Sequence, residues 1–73
     1  MRILLDELLD DNTQYGNRRK EVERFIIQKY NEGYFEDDIT KLLIKEYHLD
    51  DFEDDYISDF VHNTITTYNG KRD

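Results

Sequence analysis

The sequence predicts an all-α fold: a small bundle of about four short amphipathic helices, forming one domain over residues 1–73. Three observations lead there. Apolar residues recur at helical spacing in four separate segments. The breaks between those segments are short and built from Asn, Gly, Asp and His. The length suits a single small domain.

The first segment places Met1, Leu4, Leu5 and Leu8 on one stripe, with Asp6, Asp10 and Asp11 facing away. "DNTQYGN" interrupts it with Asn12, Gly16 and Asn17, all turn formers. Asn17 is the expected N-cap of the second helix, whose buried face reads Val22, Phe25, Ile26, the stem of Lys29, and Tyr30. "NEG" closes that helix, with Gly33 where a left-handed C-cap is needed.

In the third segment Asp37 or Asp38 is the expected cap, and Ile39, Leu42, Leu43 and Tyr47 form the core face. "HLD" breaks it. The fourth segment is expected to start at Asp50, with Glu53 completing a capping box. Its core face is Tyr56, Ile57, Phe60, Val61, Thr64, Ile65 and Tyr68, and Gly70 ends it. The β-branched run "TITTY" is its weakest helical stretch. Segments two to four are also compatible with a helix-turn-helix-like unit, because "KYNEGYFEDDITKLL" sets a Gly before a helix. That pattern is common in unrelated sequences and defines no family.

Apolar residues are 37% of the chain and aromatics 14%, too many for a disordered segment despite 38% charged residues. Six Tyr and four Phe offer large areas from which to build a core. A chain this short buries only about 60% of its unfolded surface, so marginal stability or a homodimer is expected. There is no Cys, which excludes disulfides and thiolate metal sites. The longest apolar runs are three residues and "MRILLDELLDD" carries acids where a signal peptide is apolar, so a cytoplasmic protein without membrane contact is expected. Absence of Ala and Pro, beside abundant Ile, Asn, Lys and Asp, suits an AT-rich genome such as that of a low-GC bacterium or its phage.

Catalytic and ligand-binding patterns are missing. His48 and His62 are fourteen residues apart, without the pairing that hydrolytic metal sites use. A calcium loop starting at Asp51 has Tyr56 where Gly is required and His62 where Glu is required. No Gly-rich phosphate loop exists, and Ser58 is the only Ser. No enzyme activity, metal or cofactor is expected.

Charge layout is the informative feature. The net charge is −8, and between Glu46 and Gly70 seven acids occur with no Lys or Arg. "DDFEDDYISDF", residues 50–60, holds six of those carboxylates. Residues 17–29 are the opposite, with Arg18, Arg19, Lys20, Arg24 and Lys29 against Glu21 and Glu23. Acids at a helix start stabilise it by roughly 0.3–1 kcal/mol each, which accounts for Asp50, Asp51 and Glu53 without invoking function. It does not account for Asp51, Asp55 and Asp59 recurring every fourth residue, about 6 Å apart along a helix axis.

Such a row attracts basic surfaces. Phe52 and Tyr56 beside it would supply apolar anchors. The expectation is a small acidic modulator, an inhibitor or adaptor of phage or mobile-element type. Its contact residues Asp51, Phe52, Asp55, Tyr56 and Asp59 would dock on a basic partner protein, one that binds nucleic acid included. As a DNA mimic the row alone is too sparse against one charge per about 3.4 Å of each DNA strand, so Glu36, Asp37, Asp38, Asp10 and Asp11 would have to add to it. The alternative is a small DNA-binding transcriptional regulator touching phosphates through Arg18, Arg19, Lys20 and Arg24. Acid clusters at the starts of segments three and four disfavour a recognition helix there, so nucleic acid is not the expected partner. Pairing of the basic patch with the acidic helix inside the bundle is the simplest use of those cations.

Overall fold

The computed structural model describes residues 2–10 and 18–71. Four helices follow one another: α1, Leu5–Leu9; α2, Arg19–Asn31; α3, Glu36–Tyr47; and α4, Asp54–Lys71, which is entered through a 3-10 turn at Asp51–Glu53. The protein is thus a small all-α bundle, although α4 with 18 residues is not short. The start of α2 meets the end of α3, where the Tyr47 hydroxyl donates to Glu21 and the Tyr47 ring meets the edge of Phe25. The end of α2 meets the end of α4 through Tyr30, Asn31, Tyr68 and Asn69. Hence α2 and α4 run the same way and pack on each other, α3 runs antiparallel against both, and α1 closes the end where α4 begins.

The core is aliphatic: Leu5, Leu8, Val22, Ile26, Ile39, Leu43, Leu49, Ile57, Val61 and Ile65 are all buried. Phe25, Tyr30, Tyr47 and Phe60 pack around it half-buried. The sequence led us to expect aromatics within the core. Tyr30 and Tyr47 lie at its edge, where each hydroxyl finds a polar partner that an aliphatic centre does not supply. Thr40 is the buried polar side chain, and its hydroxyl donates to the Glu36 carbonyl at 2.9 Å, one turn back.

Helix ends depart most from the sequence-based expectations. Met1, Asp11, Asn12, Gly16 and Asn17 lie outside the described residues. Leu4 is exposed, because α1 starts only at Leu5 and Leu4 holds the cap position. Neither Asp37 nor Asp38 caps α3: the cap position is Phe35, and the acids lie inside the first turn, where they still oppose the helix dipole. Gly33 does act as expected. Its φ of +102° is left-handed, and its N–H bonds Tyr30 while the next N–H, of Tyr34, reaches the Lys29 carbonyl. That pair of bonds is the Schellman closure, which a Cβ at this φ would strain.

The end of α3 uses a harder solution. His48 takes φ 55° and ψ 42°, letting the Leu49 N–H turn back to the Ile44 carbonyl at 2.9 Å. This conformation costs a side-chain-bearing residue roughly 1–2 kcal/mol. It is held by tertiary contact. Leu49 is buried, and Ile3 forms a parallel bridge with it, donating to the His48 carbonyl and accepting from Asp50 N–H.

The expected capping box forms by half. Asp50 Oδ1 accepts from Phe52 N–H at 3.0 Å, but this closes the 3-10 turn and α4 begins only at Asp54. Because Ile3 has taken the Asp50 N–H, Glu53 does not reach back to it. Its Oε1 accepts instead from Leu5 N–H at 3.3 Å and so caps α1. Along α4 the core residues are Ile57, Val61 and Ile65, with Phe60, Thr64 and Tyr68 half-buried, while Tyr56 is exposed. Gly70 does not end the helix, and "TITTY" stays helical. Thr64 donates to the Phe60 carbonyl at 2.8 Å, satisfying its hydroxyl on the helix itself.

Candidate interaction surface

The start of α4 distributes its acids among different tasks. Asp50 and Glu53 are the capping groups described above. Asp51, in the 3-10 turn, pairs with the Arg2 guanidinium at 2.6 Å. Asp54 and Asp55 occupy the first turn of α4, and Asp55 and Asp59 are both exposed away from the Ile57–Val61–Ile65 side. Tyr56 donates its hydroxyl to Asp6 Oδ1 at 2.7 Å, leaving the ring 44% exposed. Phe52 is 93% exposed. Burial of a Phe is worth about 1.5–3 kcal/mol, which this side chain forgoes within the fold.

One acid from α3 joins this region. A cleft of about 390 Å³ between α3 and α4 is lined by Asp37 from α3 and by Asp51, Asp54 and Asp55, over Thr40 and Ile44. Lys41 brings a cation to the same cleft. The sequence offers Asp37 as a helix cap and as one of several acids that could add to the row, and does not single out Asp54. The heptad-like spacing of 51, 54, 55 and 58 was the available signal, since i, i+3, i+4 and i+7 share a helix face. Two of the acids named with Asp37 go elsewhere. Glu36 binds His62 Nδ1 at 2.9 Å, tying the start of α3 to α4, and Asp10 is exposed at the end of α1.

The cations of α2 are exposed but partly engaged within the fold. Arg18 pairs with Glu21 at 3.7 Å. Arg19 reaches α4, with its guanidinium 5.7 Å above the Phe60 ring. Lys20 and Arg24 point to solvent. Lys29 lies over both Phe25 and Tyr34, so its stem covers the α2 rim.

Two tyrosines are perturbed. Burial, then the hydrogen bond and charge of Glu21, push Tyr47 up to about 12. The bond to Asp6, followed by burial, raises Tyr56 as well. An unfolded Tyr titrates near 10, so the folded chain keeps these protons to higher pH. The stability Tyr47 contributes is present below pH about 10 and is lost as pH rises from there towards about 12. Thermal melts should therefore show a fall in Tm above pH 10 that is shallower in Tyr47→Phe. A fall of equal steepness in that variant would contradict the assignment.

Among the described residues no group of three or more His, Cys, Asp or Glu is arranged to hold a metal ion, and no helix is long and apolar enough to cross a membrane. Compared with protein-family models, curated proteins and solved structures, the chain matches none.

Proposed function

We propose that this protein is a non-enzymatic binding module, an inhibitor or adaptor, that docks the acidic start of α4 on a basic surface of a partner protein. The observation that supports this best is Phe52, 93% exposed and flanked in the chain by carboxylates. An exposed aromatic gives an interface its anchor, while surrounding charge selects the partner and speeds encounter. Nucleic acid offers no basic face for Asp51, Asp55 and Asp59, so a protein with Lys and Arg at its surface is the fitting partner. Such a partner could itself bind nucleic acid, in which case the acids would compete for its phosphate-binding cations.

The test uses wild type and Phe52→Ala as paired baits in one lysate, with quantitative identification of what each retains. The reading expects a basic protein enriched on wild type and lost from Phe52→Ala. Identical sets on both baits would remove Phe52 from any interface. A gel-shift with mixed duplex DNA at low salt, where non-specific binding is strongest, should show no complex. A shift abolished by Arg18→Glu with Arg19→Glu would instead establish the DNA-binding alternative.

A further inference from the structure

Arg2 and Asp6 bring their side chains to the surface proposed for docking. Arg2 Nη1 is 2.6 Å from Asp51 Oδ1, with both side chains 60% exposed. Asp6 accepts from Tyr56 at 2.7 Å. Asp51 and Tyr56 are two of the five proposed contact residues, and both are held by the same short segment. Backbone geometry, not long-range charge, places that segment. Ile3 donates to the His48 carbonyl at 2.8 Å and accepts from Asp50 N–H at 2.9 Å, while Leu5 N–H bonds Glu53. With Ile3 fixed beside Asp50, the neighbouring Arg2 is delivered to the neighbouring Asp51.

We infer that the N-terminal segment is a built-in competitor for the acidic face: Arg2 occupies Asp51, and a basic side chain from a partner must displace it to dock. The inference rests on the docking role proposed for this face. It makes the contact self-limiting, since a lone incoming cation must compete with the pre-placed guanidinium, whereas an array of several outcompetes it.

The experiment is fluorescence anisotropy of labelled decalysine at about 0.15 M ionic strength, where the Debye length is about 8 Å, with thermal melts confirming that each variant is folded. Arg2→Ala should bind the peptide about three- to fivefold more tightly than wild type, the scale of one exposed ion pair. Arg2→Gln, which keeps most of the side chain, should do the same. Lys20→Ala removes the same charge from α2 and should change binding by less than about 1.5-fold, since charges beyond a Debye length are screened. In an Asp51→Asn background the gain from Arg2→Ala should vanish, because the pair it releases is already gone. An equal gain from Lys20→Ala, or a gain that persists without Asp51, would reduce the effect to net charge and overturn the inference. Binding by wild type with no gain in either Arg2 variant would overturn it while sparing the docking face. Absence of binding by every chain would overturn both.

Discussion

Ile57→Ala is expected to lower the melting temperature by more than about 10 °C, or to leave the chain unfolded at 37 °C. Ile57 is fully buried on the core side of α4, among aliphatic side chains contributed by the other helices. Truncating such a residue costs about 2–5 kcal/mol, the lost transfer energy plus an unfilled cavity. At roughly 0.05–0.15 kcal/mol per residue, a chain of 73 residues holds only about 4–11 kcal/mol in total. In a domain of this size each kcal/mol moves Tm by about 4–8 °C. Tyr56→Phe, one position earlier, removes only a hydroxyl bonded at the surface and should cost less than about 1 kcal/mol. Urea titration followed by helical circular dichroism separates the two. Equal midpoints would mean that α4 does not pack on its Ile57 side.

Phe52→Ala should have the reverse profile, with no loss of stability and a large loss of binding. Its ring is 93% exposed, so truncation removes almost no packing from the folded state. If that ring fills a pocket on the partner, removing it should cost about 2 kcal/mol or more, near a 30-fold rise in Kd. The loss should appear mainly in the dissociation rate, as interface truncations usually do. Calorimetry with the basic protein retained by the wild-type bait measures it. A Kd within twofold of wild type would show that the ring lies outside the contact.

Much of the architecture was readable from local pattern. The spacing of Ile57, Val61 and Ile65, or of Ile39 and Leu43, reflects one helix face meeting one core, and periodicity carries that information. Gly33 was readable because the left-handed closure of α2 needs a residue without Cβ. The misreadings arose where a distant residue took a local group. Asp50 and Glu53 spell a capping box, yet Ile3 occupies the Asp50 N–H and Leu5 takes the Glu53 carboxylate, across about fifty positions of chain. No window of sequence contains that competition. Tyr56 was misplaced for a related reason, since the helical pattern gives its face but not that its hydroxyl finds Asp6 as acceptor.

The candidate surface divides in the same way. The four-residue recurrence of Asp51, Asp55 and Asp59 is visible in the string, as is Phe52 among them. The cleft that adds Asp37 depends on α3 lying antiparallel to α4, and the Arg2–Asp51 pair depends on a bridge through Ile3. Both are properties of the packing. Local charge pattern therefore pointed to a face, while tertiary structure decides which of its carboxylates are already engaged.

The central claim, that this face steers and holds a basic partner, is tested most directly by salt. Association of the wild type with the basic protein it retains should be measured by stopped-flow over rising ionic strength. The same measurement should be made on the chain carrying Asp51→Asn, Asp55→Asn and Asp59→Asn. These three side chains are exposed, so the variant should fold as the wild type does. Steering acts within a Debye length of about 8 Å near physiological salt, so wild-type association should slow steeply as salt rises. The triple variant should start slower and respond little. Equal rates and equal salt slopes for the two chains would contradict the account, leaving those acids as solvated residues at a helix start.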